Sequence, residues 1–157
     1  MSKDQWLLFF HVAGAALLIA GSVVAGVFTL VARRRERPSD IATFMGLVRL
    51  ALPLIYSGVF LTLVFGLWLV HDTGFSFGDG WVIAALILWV VANALGGMGG
   101  KREDETRKLA EQLAAQGDVA TPELTARLRD PVPLALSYGS GAAILVILVL
   151  MIWKPGA

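Results

Sequence analysis

Long apolar stretches alternate with short polar ones along this chain, and the lengths set its class. Apolar residues run from Trp6 to Ala32, from about Gly46 to Val70, from Trp81 to Leu95 or slightly beyond, and from Val132 to Trp153. A hydrocarbon core roughly 30 Å thick takes about 20 residues of helix at about 1.5 Å per residue. Four transmembrane helices over about 6–32, 46–70, 81–97 and 132–153 are therefore predicted, forming an all-α four-helix bundle in one integral membrane domain over residues 1–157. The first stretch is longer than the apolar part of a cleavable signal, and its positive cluster follows it, so it is expected to be retained.

Composition agrees. The chain is 57% hydrophobic and 16% charged, with a mean hydropathy of +0.72, well beyond what a soluble domain of this size needs. The lack of cysteine excludes disulfides, thiolate metal sites and thiol catalysis. Nothing points to a nucleic-acid partner; the expected surroundings are the lipid bilayer and other membrane-embedded chains.

The net charge of +1 conceals an asymmetry. Arg33, Arg34, Arg35 and Arg37 follow the first span, and Lys101, Arg102, Arg107, Lys108, Arg127 and Arg129 lie in a link over residues 98–131, whereas Lys3 and Lys154 lie at the opposite face. The positive-inside rule then places both termini outside the cytoplasm, in a multi-pass protein of a bacterial inner membrane. Trp6, Trp68, Trp81 and Trp153 fall at the outer ends of their spans, where an indole favours the headgroup boundary. The arginine cluster reads as a topology determinant with some attraction to anionic lipid.

Small residues mark packing faces. His11, Gly14, Leu18, Gly21 and Ala25 share one face of the first helix, and Gly58, Thr62 and Gly66 repeat the device on the second. Ser137, Gly139, Ser140 and Gly141 open the fourth helix in the same way. Pro53 is expected to kink the second helix and free the carbonyl of Arg49, with Ser57 or Tyr56 compensating. The run Gly96, Gly97, Gly99, Gly100 lacks the lysine and hydroxyl pattern of a phosphate loop and reads as a flexible hinge. Beyond it, Lys101–Gln116 reads as a short amphipathic helix with Leu109 and Leu113, stopped by Gly117. Thr121 and Pro122 then start a second helix that ends before Asp130-Pro131. Together they are expected to form a solvated cytoplasmic hairpin.

Ionisable groups inside apolar spans are costly and therefore informative. Two stand out, His11 and Arg49, with Asn93 as a further polar group. Arg49 is expected to snorkel to the headgroups, and Asn93 to bond between helices. His71 lies beside Asp72 and reads as interfacial. His11 requires a partner: a hydrogen bond across helices, a proton relay, or coordination of a metal or haem iron. Measured from the Trp6 and Trp68 depth markers, His11 and His71 differ by roughly 12 Å in height, too far to share one ion.

The segments Leu7-Leu8-Phe9-Phe10-His11-Val12-Ala13-Gly14-Ala15, Pro53-Leu54-Ile55-Tyr56-Ser57-Gly58, Gly66-Leu67-Trp68-Leu69 and Leu150-Met151-Ile152-Trp153-Lys154-Pro155-Gly156 resemble the bacterial four-helix family called domain of unknown function 2269. The first helix alone is also similar to the copper-resistance D proteins and to the membrane-bound, haem-containing protoporphyrinogen oxidases. That second likeness implies that His11 stands where the oxidases ligate haem b, with Gly14 and Gly21 as the close-packing face beside it. The chain departs from them in offering no second intramembrane histidine. It also has no methionine cluster for a copper path, since Met45, Met98 and Met151 are scattered.

Three functions follow as expectations. The first is binding of haem b, or a metal such as copper, through His11, with a redox link. The second is a cofactor-free accessory module that self-associates or joins a larger complex. The third is a small transporter, which the absence of acidic residues in the spans disfavours.

Overall fold

The computed structural model describes residues 2–155. Six α-helices follow one another: α1 (Lys3–Ala32), α2 (Pro38–Leu47), α3 (Leu52–Asp72), α4 (Gly80–Ala115), α5 (Pro122–Arg129) and α6 (Val132–Trp153), with a 3-10 turn at Val48–Leu50. Four of the helical segments are long and apolar enough to cross a membrane, and no strand occurs among the described residues. The likeness at Lys154-Pro155-Gly156 ends on Gly156, outside the described residues.

The helices associate as two pairs. α1 runs antiparallel to α3, α4 runs against α6, and α2 bridges α1 to α4. Glycines set the first pairing. A Cβ at Gly14 would lie 2.7 Å from Leu61 Cβ and from the Thr62 nitrogen, and one at Gly58 would lie 2.5 Å from the Leu18 nitrogen. The backbones therefore touch, which only glycine permits. At the terminal end, Ser2 and Gln5 form a capping box on α1 and Lys3 pairs with Asp72.

Three expectations are corrected. The span over 46–70 is not one regular helix: within the apolar helical stretch Pro38–Asp72 a 3-10 turn at Val48–Leu50 intervenes, and α3 resumes with Pro53 in its first turn. Proline lacks the N–H that a first turn leaves unpaired anyway, so it begins a helix more readily than it bends one. The Ser57 hydroxyl accordingly donates to the carbonyls of Pro53 and Leu54, at 2.7 and 3.2 Å, and not to that of Arg49.

The glycine run is not a hinge either, since α4 passes through it unbroken. α6 lies against this stretch. The Ser140 hydroxyl donates to the Ala92 carbonyl at 2.8 Å, and a Cβ at Gly99 would come within 3.2 Å of Ser137 Oγ and 3.3 Å of the Pro133 carbonyl. Gly96 and Gly99 thus serve close approach, while the helix satisfies its own backbone groups.

The link over 98–131 is not a solvated hairpin. Ala110 in the extension of α4 and Leu124 in α5 join Ala32, Ile41 and Met45 in a buried cluster, with Leu109 and Leu113 packed against it. Thr121 caps α5 as the sequence predicts, its hydroxyl accepting from the Leu124 nitrogen at 3.3 Å. α2 falls in what reads from sequence as part link and part span.

Candidate functional site

Between the α1/α3 and α4/α6 pairs lies a cavity of about 700 Å³ with mainly apolar walls. It is closed at the terminal end by Val70, Trp81 and Val82, against which Phe75 and Met151 pack. At the other end it is bounded by the bridging α2.

His11 lies in the α1/α3 wall. Its Nδ1 is 2.9 Å from the Thr62 carbonyl oxygen. A carbonyl only accepts, so Nδ1 carries the proton, and in the neutral ring Nε2 keeps its lone pair. The ring rests on Gly66, where a Cβ would meet Cε1 at 2.8 Å and Nδ1 at 2.9 Å. Nε2 lies on the far side and has no hydrogen-bond partner among the described residues. His11 and Thr62 both line the cavity.

The opposite wall can be placed by register. Thr29 donates its hydroxyl to Glu103 at 3.2 Å, and α1 and α4 run in the same direction from the terminal end. Eighteen residues back along each helix, Ala85 stands level with His11, with Leu86 beside it. Trp89 follows one turn further, its indole N–H buried without an acceptor among the described residues. The Thr62 hydroxyl is unpartnered in the same way.

The remaining predicted residues scatter. Gly14 and Gly21 press on α3, a Cβ at Gly21 falling 2.8 Å from Ile55 Cγ1; they hold the wall that carries His11 and do not face a ligand. Asn93 lines the cavity, yet its amide donates within α4 to the Trp89 carbonyl at 2.8 Å, which replaces the expected bond between helices. Arg49 sits exposed in the 3-10 turn at the cavity's basic end, within the apolar stretch Pro38–Asp72. His71 lies exposed nine residues along α3 from Thr62, about 14 Å away along the axis.

Sequence reasoning missed Trp89 and Glu103. Trp89 is the one tryptophan set within a span and not at its end, which was a legible signal. Glu103 looked like part of a solvated link, and only the unbroken α4 carries it to Thr29. Among the described residues no group of three or more His, Asp or Glu gathers as a metal cluster. The donors towards the terminal end of the cavity are the His11 imidazole and the Met151 thioether, and the carboxylates Glu103 and Asp104 line its basic end. So few donors beside an apolar wall fit a ring cofactor that His11 would hold better than they fit a bare ion, which needs several ligands.

Four apolar helices around a mainly apolar cleft define a multi-pass integral membrane protein. The chain belongs to the family described as predicted integral membrane protein (DUF2269), which matches residues 5–155. No curated protein matches the chain, and no solved structure does.

Proposed function

We propose that this protein holds haem b in the cleft between its helix pairs, where His11 Nε2 would bind it, in a bacterial cytoplasmic membrane with the basic end inward. The tether on His11 carries this reading. Ligating imidazoles characteristically donate their other ring N–H to a backbone carbonyl or carboxylate, which fixes the tautomer and aims the ring. Here Thr62 supplies the carbonyl and Gly66 the seat.

When bound, haem supplies one-electron chemistry. The chain's own part is to keep Nδ1 protonated through Thr62, to present Nε2, and to line the chamber with Ala85, Leu86 and Trp89 so that water stays out. Copper on His11 is the weaker alternative, because beside the imidazole this end of the cavity offers one thioether, Met151, while the carboxylates Glu103 and Asp104 stand at the basic end.

The test is the absorption spectrum of the detergent-purified protein, oxidised and dithionite-reduced, beside His11→Ala. A Soret band that sharpens on reduction and is lost in the variant is expected. A protein that stays colourless after haem addition refutes the reading.

One observation favours a second reading, a cofactor-free module that packs on itself or on a larger complex. Gly26, Gly97, Gly100 and Gly141 have open space where a side chain would stand and all four line the cleft, so on this reading a helix of a second copy or a partner packs on them there. On that reading His11→Ala alters assembly size in lipid nanodiscs and removes no spectral signal.

A further inference from the structure

Two cations stand at one height on facing walls of the cleft, well below His11. Ile55 lies against Gly21, and α3 is antiparallel to α1, so Arg49, six residues before Ile55, is level with about Val27 of α1. Glu103 bonds Thr29, and Lys101, two residues before Glu103, is level with the same Val27. Both cations line the cavity, both are exposed, and neither forms an ion pair among the described residues. The acidic groups nearby are engaged: Glu103 with Thr29, and Asp104 with Arg107 and Lys108. Above this pair the walls turn apolar, passing Gly97, whose face is open. His11 lies sixteen residues further along α1, about 24 Å away.

We infer that this lower half of the cleft is a binding site for an anionic phospholipid. Its phosphate sits between Arg49 and Lys101, and one acyl chain runs up the apolar wall past Gly97. Charge complementarity selects the headgroup, because an anionic lipid supplies the counter-charge that two unpaired cations at a membrane boundary lack. The apolar cleft selects a chain-bearing ligand over a free phosphate. The site shares the cleft with His11, and its occupancy is read without reference to haem.

The test reconstitutes the full chain in vesicles of equal parts phosphatidylglycerol and phosphatidylcholine, extracts it in mild detergent, and identifies retained lipid by native mass spectrometry. Wild type should retain phosphatidylglycerol selectively. Arg49→Gln with Lys101→Gln should lower that preference by roughly thirtyfold, the effect of two basic groups near an anionic headgroup. Gly97→Leu keeps both charges and fills the acyl path, and it should also lose the lipid. Arg34→Gln with Arg37→Gln removes equal charge outside the cleft and should retain it. Equal retention of both lipids by wild type overturns the inference. So does full retention in Gly97→Leu, or an equal loss in the Arg34/Arg37 variant. Added inorganic phosphate that displaces the signal would mark a headgroup-only site and overturn it as well.

Discussion

Asp118 caps α2 from the turn after α4: its two carboxylate oxygens accept hydrogen bonds from the Ser39 nitrogen and the Ser39 hydroxyl, each at 2.7 Å. The contact ties the start of one helix to the end of another 79 residues away. Asp118 reaches it from a left-handed conformation, φ +57°, just after Gly117 at φ +114°. Carboxylates are favoured at helix N-termini, where N–H groups are otherwise unpaired.

This cap should make stability depend on pH. The hydrogen bonds from the Ser39 hydroxyl and backbone N–H hold the Asp118 carboxyl below its ordinary value. A carboxylate whose folded value is depressed contributes stability that is present above the unfolded value, near about 4, and lost as pH falls through the folded one. Thermal unfolding in detergent should show Asp118→Asn below wild type at pH 7, with the gap closing towards pH 3. Asparagine tolerates the left-handed backbone, so the change isolates the charge. A gap that stays constant with pH contradicts the assignment.

The α1/α3 contact should be intolerant of a methyl group. Gly58→Ala places Cβ against the backbone of Leu18, and overpacking of this kind costs about 1–3 kcal/mol. Gly26→Ala meets open space and should be neutral or stabilising by up to about 1 kcal/mol from helix propensity. Unfolding of the two variants in graded detergent denaturation separates them. Equal losses would mean that helix packing is not set at Gly58.

The seat of His11 should be testable without removing the histidine. Gly66→Ala pushes on Cε1 and Nδ1 and so breaks the geometry of the Thr62 bond, a loss of about 1 kcal/mol for an interhelical hydrogen bond in a membrane. On the proposed haem reading, retention of added haem should fall with it, measured as Soret absorbance per mole of protein. Retention equal to wild type would show that the ring's aim is set elsewhere.

Continuity of α4 predicts that the glycine run needs no flexibility. Gly100→Ala, at a position with open space, should raise helix stability by about 0.5–1 kcal/mol and leave the fold intact. Circular dichroism during thermal unfolding checks this, and a destabilised variant would restore the hinge.

The sequence by itself determined the membrane class, the four spans, the face that joins α1 to its neighbour and the start of α5 at Thr121. These follow from local quantities: the length of an apolar run, a small-residue spacing of three and four, and a cap read over three residues. His11 was legible for the same reason, because an imidazole within a span stands out against hydrocarbon.

The tertiary structure alone decided the rest. Whether Pro53 bends a regular helix or opens a new one depends on the backbone before it, and the 3-10 turn at Val48–Leu50 settled that. Whether Gly96 to Gly100 bend depends on what lies against them, and Ser137 and Ser140 of α6 hold them helical. Glu103 meets Thr29 across 74 residues, and Asp118 meets Ser39 across 79; no local pattern encodes either pairing. The cleft itself is a property of how two helix pairs are held apart, and hydropathy gives spans but not the distances between them.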